Sequence, residues 1–216
     1  MTSGDLDGAR VGGVRTSVQA VVFDLGNVLV RWDPRLPFAG SLTPAEVDAL
    51  FEDVDFAAFN HLQDAGRPWD VALAALHELH PRHAAAMTLY RDNFAASLPG
   101  PVPGSAQVVQ DVRAAGVRLL GLTNWSAETF HHAAPAAPAI ELLEDVLVSG
   151  EVGLAKPDPR IFRLLARRFG LDPAGTVFVD DSPANVVAAA AEGFDALLFT
   201  DARRLRADLV ERGLPV

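Results

Sequence analysis

Val18-Gln19-Ala20-Val21-Val22-Phe23-Asp24-Leu25-Gly26-Asn27 decides how this chain is read: a mostly apolar run stops at a carboxylate and is followed by a Gly-Asn turn. A short apolar run bounded by turn formers reads as a buried strand. The same syntax recurs downstream. Val117 to Leu122 ends in Thr123-Asn124, Val146-Leu147-Val148 precedes a Gly-containing loop, Thr176 to Val179 ends in Asp180-Asp181, and Ala196 to Phe199 completes the set. Helical patterns fall between these runs, over Gly104 to Ala115, Asp158 to Phe169, Pro183 to Glu192 and Ala202 to Arg212. Ser182-Pro183 and Asp158-Pro159 each offer an N-cap followed by Pro at the first helical position, and Gly116, Gly170 and Gly193 mark stops. Strand and helix alternating in this way predict an α/β fold, a Rossmann-like parallel sheet with helices on both faces and right-handed crossovers.

One spacing breaks the pattern. Far more chain separates Asp24 from Thr123 than the dozen or so residues a parallel crossover needs. Pro34 to Leu98 carries helical patterns, including the capping-box form Thr43-Pro44-Ala45-Glu46, and ends in the stiff linker Pro99-Gly100-Pro101-Val102-Pro103-Gly104. The expected organisation is a loose tail over residues 1–17, an α/β core over 18–33 and 99–216, and a small all-helical cap over 34–98. Phe51, Phe56 and Phe59 are expected to form the cap's own core, while Asn60, His61 and Arg67 are candidates to face a cleft.

The formal charge of −10 argues against nucleic acid as a partner, since phosphate backbones need clustered cations. No apolar run approaches the roughly 20 residues of a membrane span. With no cysteine there is no disulfide framework or thiolate metal site, so a cytoplasmic protein, monomeric or weakly dimeric, is expected. His77, His80 and His83 have helical spacing, but Pro81 interrupts them and a solvated helix is the expectation. His131-His132 read as surface, and Trp125 as packing against the site wall.

The chemistry gathers at the strand ends. Ligands of an open parallel sheet bind beyond the carboxyl ends of its strands, and there stand Asp24, Thr123-Asn124, Lys156 and Asp180-Asp181. Such a set suits phosphoryl transfer: Asp24 to attack and form an aspartyl-phosphate, Asp24 and Asp181 to hold Mg²⁺, Thr123 to bind phosphate oxygens and Lys156 to neutralise charge.

Four stretches, in order, carry a family resemblance: Phe23-Asp24-Leu25-Gly26-Asn27-Val28-Leu29, Leu122-Thr123-Asn124-Trp125-Ser126, Gly153-Leu154-Ala155-Lys156-Pro157-Asp158-Pro159, and Val177-Phe178-Val179-Asp180-Asp181-Ser182-Pro183-Ala184-Asn185. The chain resembles the haloacid dehalogenase superfamily, in its phosphatase-like branch with a helical cap after the first strand. That resemblance implies Asp24 as nucleophile, Thr123, Asn124 and Lys156 around the phosphoryl group, and Lys156 as the charge-stabilising lysine. It implies Asp181 and the Gly26 backbone carbonyl as metal ligands, Asp180 as a second ligand or an acid just behind it, and Asn185 as a support for the metal's waters. The substrate class implied is a small phosphorylated metabolite, such as a sugar phosphate.

The departure is Gly26. Family phosphatases usually place a second Asp there as general acid and base, a function often worth 10²–10⁴-fold. Asp33, Asn27 through water, and His61 are the candidates to replace it. The same nucleophile suits dehalogenation of a 2-haloacid, although Asp180-Asp181 would then repel Asp24 for no purpose. The missing acid also suits a binding module that keeps the fold without turnover.

Overall fold

The structure, a computed structural model, describes residues 18–216; the tail expected over residues 1–17 lies outside them. Five strands form one parallel sheet in the order β3-β2-β1-β4-β5: β1 Ala20–Phe23, β2 Arg118–Thr123, β3 Asp145–Val148, β4 Thr176–Asp180 and β5 Asp195–Leu198. The fully buried β1 pairs with β2 on one side (Phe23 opposite Gly121) and with β4 on the other (Phe23 opposite Val179). The chain steps outward from β1 through β2 to β3, then returns to β4 across β1. That reversal opens a crevice at the carboxyl ends of β1, β2 and β4.

Period-two alternation decides which side chains meet which helices. Val21 and Phe23 pack on one face with helices α5 (Ser105–Ala114) and α10 (Ala202–Glu211), through Val108, Val109, Val112, Leu205 and Leu209. Val22, Leu120, Leu122 and Phe178 pack on the other with α8 (Pro159–Phe169) and α9 (Pro183–Ala191), through Ile161, Phe162, Leu165 and Ala189. The expected layers are therefore present, with element ends within a residue or two of the sequence reading. Two short helices, α6 (Ala133–Ala136) and α7 (Ser149–Val152), complete the core.

Between β1 and α5 the chain folds into four helices: α1 Pro44–Asp53, α2 Phe56–Asp64, α3 Trp69–Leu79 and α4 Pro81–Asp92. Thr43 and Glu46 cap α1 reciprocally, as their spacing predicts. Entry and exit of this insertion run side by side: Arg31 N–H donates to Gly100 O at 2.9 Å, Asp33 N–H to Ser97 O at 2.8 Å, and Val102 N–H to Leu29 O at 3.0 Å. The aromatic residues inside differ from expectation. Phe51 stacks on Phe56 at 4.0 Å, Phe56 meets Tyr90 edge-on, Tyr90 meets Phe94, and Phe94 reaches Trp125 of the core. The cluster is continuous with the core on the Val21–Phe23 face, not a separate cap core. A segment this short gains more by sharing an apolar face than by closing its own.

Candidate active site

Asp24 follows β1 directly, and its N–H donates to Val179 O at 2.8 Å, so the sheet fixes its backbone. Its Oδ1 accepts from Leu25 N–H at 2.7 Å and lies 2.9 Å from Lys156 Nζ. Lys156 is buried, and its ammonium has three donors. They meet three acceptors: Asp24 Oδ1, Asp180 Oδ2 at 2.6 Å and Leu122 O at 2.9 Å. Nothing in that ammonium is left unpaired, which is the condition for keeping a buried cation charged.

Asp180, at the end of β4 and wholly buried, spends both carboxylate oxygens. Oδ1 accepts from Ser182 N–H at 2.8 Å and Asn185 Nδ2 at 2.9 Å; Oδ2 accepts from Lys156 and from the same Asn185 nitrogen at 3.1 Å. Asn185 thus touches Asp180, which in turn orients Lys156. Asn124 does comparable work from β2's end. Its side chain accepts from Lys156 N–H and donates to Lys156 O, both at 2.8 Å, so the amide expected at the phosphate is engaged with the Lys156 backbone instead. Thr123, buried one residue earlier, ends β2 directly after Leu122, whose carbonyl accepts from Lys156. Asn27 sits in the left-handed region at φ 56°, which Asn tolerates better than most residues. Its Oδ1 accepts from Trp32 N–H at 3.0 Å, and its side chain lies close enough to Asp181 to favour that carboxylate.

Electrostatics bind these groups together. Burial pushes the Asp24 carboxyl up to about 7; Lys156 opposes the rise, while Asp180 and Asp181 add to it. Burial works against the Lys156 ammonium, yet the carboxylates of Asp24 and Asp180 hold its pKa above the ordinary value. Asp181, on the exposed rim, is raised by desolvation and by Asp180. Oxygens from Asp24, Asp180 and Asp181 lie within 4.8 Å of one another. An all-carboxylate set fits a hard divalent cation such as Mg²⁺. With both Asp180 oxygens occupied, Asp24 and Asp181 are the carboxylates left to bind one.

Beside this cluster lies a cavity of about 70 Å³, lined by Gly26, Asn60, Asp64, Asn124 and an aromatic wall that includes all three tryptophans, Trp32, Trp69 and Trp125. It shares Trp32, Asn60, Asp64 and Asn124 with a wider groove of about 970 Å³ under the insertion. Trp125 is buried and walls the cavity. Of the cleft candidates, Asn60 lines both spaces and His61 only the outer groove. Arg67, just beyond α2, folds back on that helix, donating to Gln63 Oε1 at 2.6 Å and Phe59 O at 3.1 Å, so its charge is spent capping α2. Asp33 accepts from Arg35 N–H and closes a turn. His83 meets Asp53 at 2.8 Å; among the described residues the three histidines of that stretch form no metal cluster. Asp64 was not foreseen. Burial, then the charge of Asp24, pushes its carboxyl up to about 7 against Lys156. On a helix of ordinary amphipathic pattern, one acid gives no sign that it will point inward.

The haloacid dehalogenase-like hydrolase family matches residues 18–193. The chain belongs to that family. Within it, the chain is 26% identical over 196 residues to a sesquiterpene phosphatase of Aspergillus oryzae, covering 86% of this chain and 92% of that protein. It is 30% identical over 202 residues to a phosphoglycolate phosphatase of Rhodospirillum rubrum, covering 84% and 79%. Against a drimenol cyclase of Aspergillus calidoustus, 27% identical, it spans only 34% of the relative's length. A haloacid dehalogenase family enzyme from Bacteroides thetaiotaomicron, solved as its magnesium complex, superposes with a TM-score of 0.70 at 19% identity, covering 90% of this chain and 98% of that one. Family and fold are those the four motifs imply, and the chain is a phosphatase-like hydrolase.

Proposed function

We propose that this haloacid dehalogenase-family chain hydrolyses a small phosphomonoester with Mg²⁺, through an aspartyl-phosphate on Asp24. One observation carries the reading: three carboxylates gather in one cluster with a single ammonium, which pairs with only two of them, so acids outnumber the cation there. A divalent cation offsets that excess, whereas a metal-free dehalogenase would carry the repulsion unrelieved.

The chain's own groups divide the work. Asp24 Oδ1 is held by Leu25 N–H and Lys156, so Oδ2 is the oxygen free to attack phosphorus. Thr123, at the strand end, offers hydroxyl and backbone N–H to the transferring group, and Lys156 offsets charge on nucleophile and phosphate. Asn124, Asn185 and Asp180 keep Lys156 in place. Mg²⁺, held by Asp24, Asp181 and the Gly26 carbonyl, would supply charge neutralisation at the phosphate oxygens. The aromatic wall suits the apolar face of a sugar ring, so sugar phosphates are the first substrates to try in a cytoplasmic, monomeric or weakly dimeric enzyme. The sesquiterpene phosphatase relative makes terpenyl phosphates the second.

Phosphate release from a panel of such esters with Mg²⁺, with Asp24→Asn as the blank, tests this. Turnover that falls about 10⁴-fold or more in Asp24→Asn is expected. Full activity in that variant rejects Asp24 as nucleophile. No release from any ester, alongside measurable phosphosugar binding, selects the binding module that the absent acid at Gly26 otherwise favours.

A further inference from the structure

Gly26 leaves a proton without an owner. Its backbone is not left-handed, and a Cβ built there would meet no atom within 4 Å. Packing therefore does not exclude an acid at Gly26, and the cavity it lines is open on that side. Across this cavity stands Asp64, at the last turn of α2.

Three features mark Asp64 as built into the site. First, Asp64 lines the same cavity as Gly26, and its carboxyl lies near enough to feel both Asp24 and Lys156. Second, one oxygen is held: Oδ2 accepts from Asn60 Nδ2 at 2.9 Å, and Asn60 also lines the cavity. Third, its backbone is fastened to the core, for Ser149 Oγ donates to Asp64 O at 2.5 Å. Gly66, two residues on, lies so close to α7 that a Cβ would come within 3.1 Å of Gly150 O. The end of α2 is thereby pinned to the sheet's own loop rather than riding free on the insertion. Burial favours the protonated carboxyl near neutral pH, the form a general acid needs.

We propose that Asp64, reaching in from the helical insertion, is the catalytic acid and base that Gly26 cannot be; this rests on the phosphatase reading above. In the first step Asp24 Oδ2 forms a bond to phosphorus and the P–O bond to the ester breaks. The bonding pair goes to the departing alkoxide, which takes the Asp64 proton and leaves as the alcohol. In the second step the Asp64 carboxylate takes a proton from water as that water attacks the aspartyl-phosphate. The P–O bond to Asp24 breaks, its pair returns to the Asp24 carboxylate, inorganic phosphate departs, and Asp64 is protonated again.

The test exploits leaving groups. An acid matters for a poor leaving group and little for a good one, so single-turnover formation of the phosphoenzyme is measured with phenyl phosphate and with dinitrophenyl phosphate, each with Mg²⁺. Asp64→Asn should slow the phenyl ester by about 10²–10⁴-fold and the dinitrophenyl ester by less than about tenfold. Gly26→Asp placed in the Asp64→Asn background should recover at least about tenfold of the loss on the phenyl ester. Equal losses on both esters would make Asp64 a structural residue and overturn the proposal, as would no loss on either. Persisting reaction with the dinitrophenyl ester shows that the variant is folded. If the wild type forms no phosphoenzyme with either ester, the phosphatase reading falls and this inference with it. Wild-type reaction with an unchanged ratio of the two esters in Asp64→Asn overturns this inference alone.

Discussion

The strand-end cluster and the helical insertion face each other across one small cavity, and they hold their polar groups in opposite ways. At the strand ends the buried groups hold one another: Lys156 has three acceptors, Asp180 spends both oxygens, and Asn124, Asn185 and Asn27 each fasten a neighbour. The insertion offers stacked aromatic rings, an indole nitrogen of Trp69 without a partner, and a carboxyl, Asp64, that no cation neutralises directly. A site so cross-linked holds its nucleophile and its lysine in place. An apolar wall with one acid keeps that acid protonated. The two surfaces therefore suit the two needs of ester cleavage, a fixed nucleophile and a mobile proton.

The sharpest way to break the paired side is Lys156→Met. Asp24 and Asp180 would be left buried with no counter-charge, a loss expected to cost about 3–5 kcal/mol in urea denaturation. Turnover should fall by at least about 10²–10³-fold, since the same ammonium offsets charge on the phosphate. Unchanged stability would mean that the carboxylates take up protons and the pairing contributes little.

The insertion is tested by Phe56→Ala. Phe56 is buried between Phe51 and Tyr90, so truncation should cost about 3–5 kcal/mol. Because the cluster runs through Phe94 and Trp125 into the sheet's core, thermal unfolding should remain a single transition in wild type and variant alike. Two resolved transitions would show that the insertion folds apart from the core.

The same contrast governs what the sequence reveals. Strand-end residues are legible because each sits after an apolar run and before a turn, and period two fixes where its side chain goes; Asp24, Thr123 and Asp180 are found this way. What Asn124 and Asn185 do was not legible, since an amide near a phosphate site reads as a ligand until its partner is seen. On the insertion, helix positions are legible from caps, but which acid faces inward depends on how the helix sits on the core. That placement rests on Ser149, Gly66 and Gly150, residues far apart in sequence and bland in isolation. Arg67 misled for the same reason: its guanidinium found acceptors on the helix before it.

A milder perturbation of the paired side is Asn124→Ala. It removes two hydrogen bonds to the Lys156 backbone and should cost about 1–3 kcal/mol, with the ammonium's own contacts intact. A larger fall in kcat than in stability would show that those bonds position Lys156 for the reaction.

The smallest expected effect separates the two sides by pH. Burial raises the Asp64 carboxyl from the ordinary 3.8 to about 7 in the folded chain. A group raised on folding favours the fold below its unfolded pKa and loses that contribution as pH climbs through the folded value. Wild type should therefore lose stability through Asp64 from about pH 4 to about pH 7, as the fold is made to carry an unpaired carboxylate, and no further above that. Asp64→Asn keeps an oxygen for Asn60 and carries no charge, so it should gain on wild type by on the order of 1–2 kcal/mol over that interval, or ~2–8 °C in Tm. Parallel Tm curves for the two proteins from pH 4 to 7 would mean that a positive charge already neutralises Asp64, and the contrast between a paired sheet edge and an unpaired insertion would fail at that carboxyl.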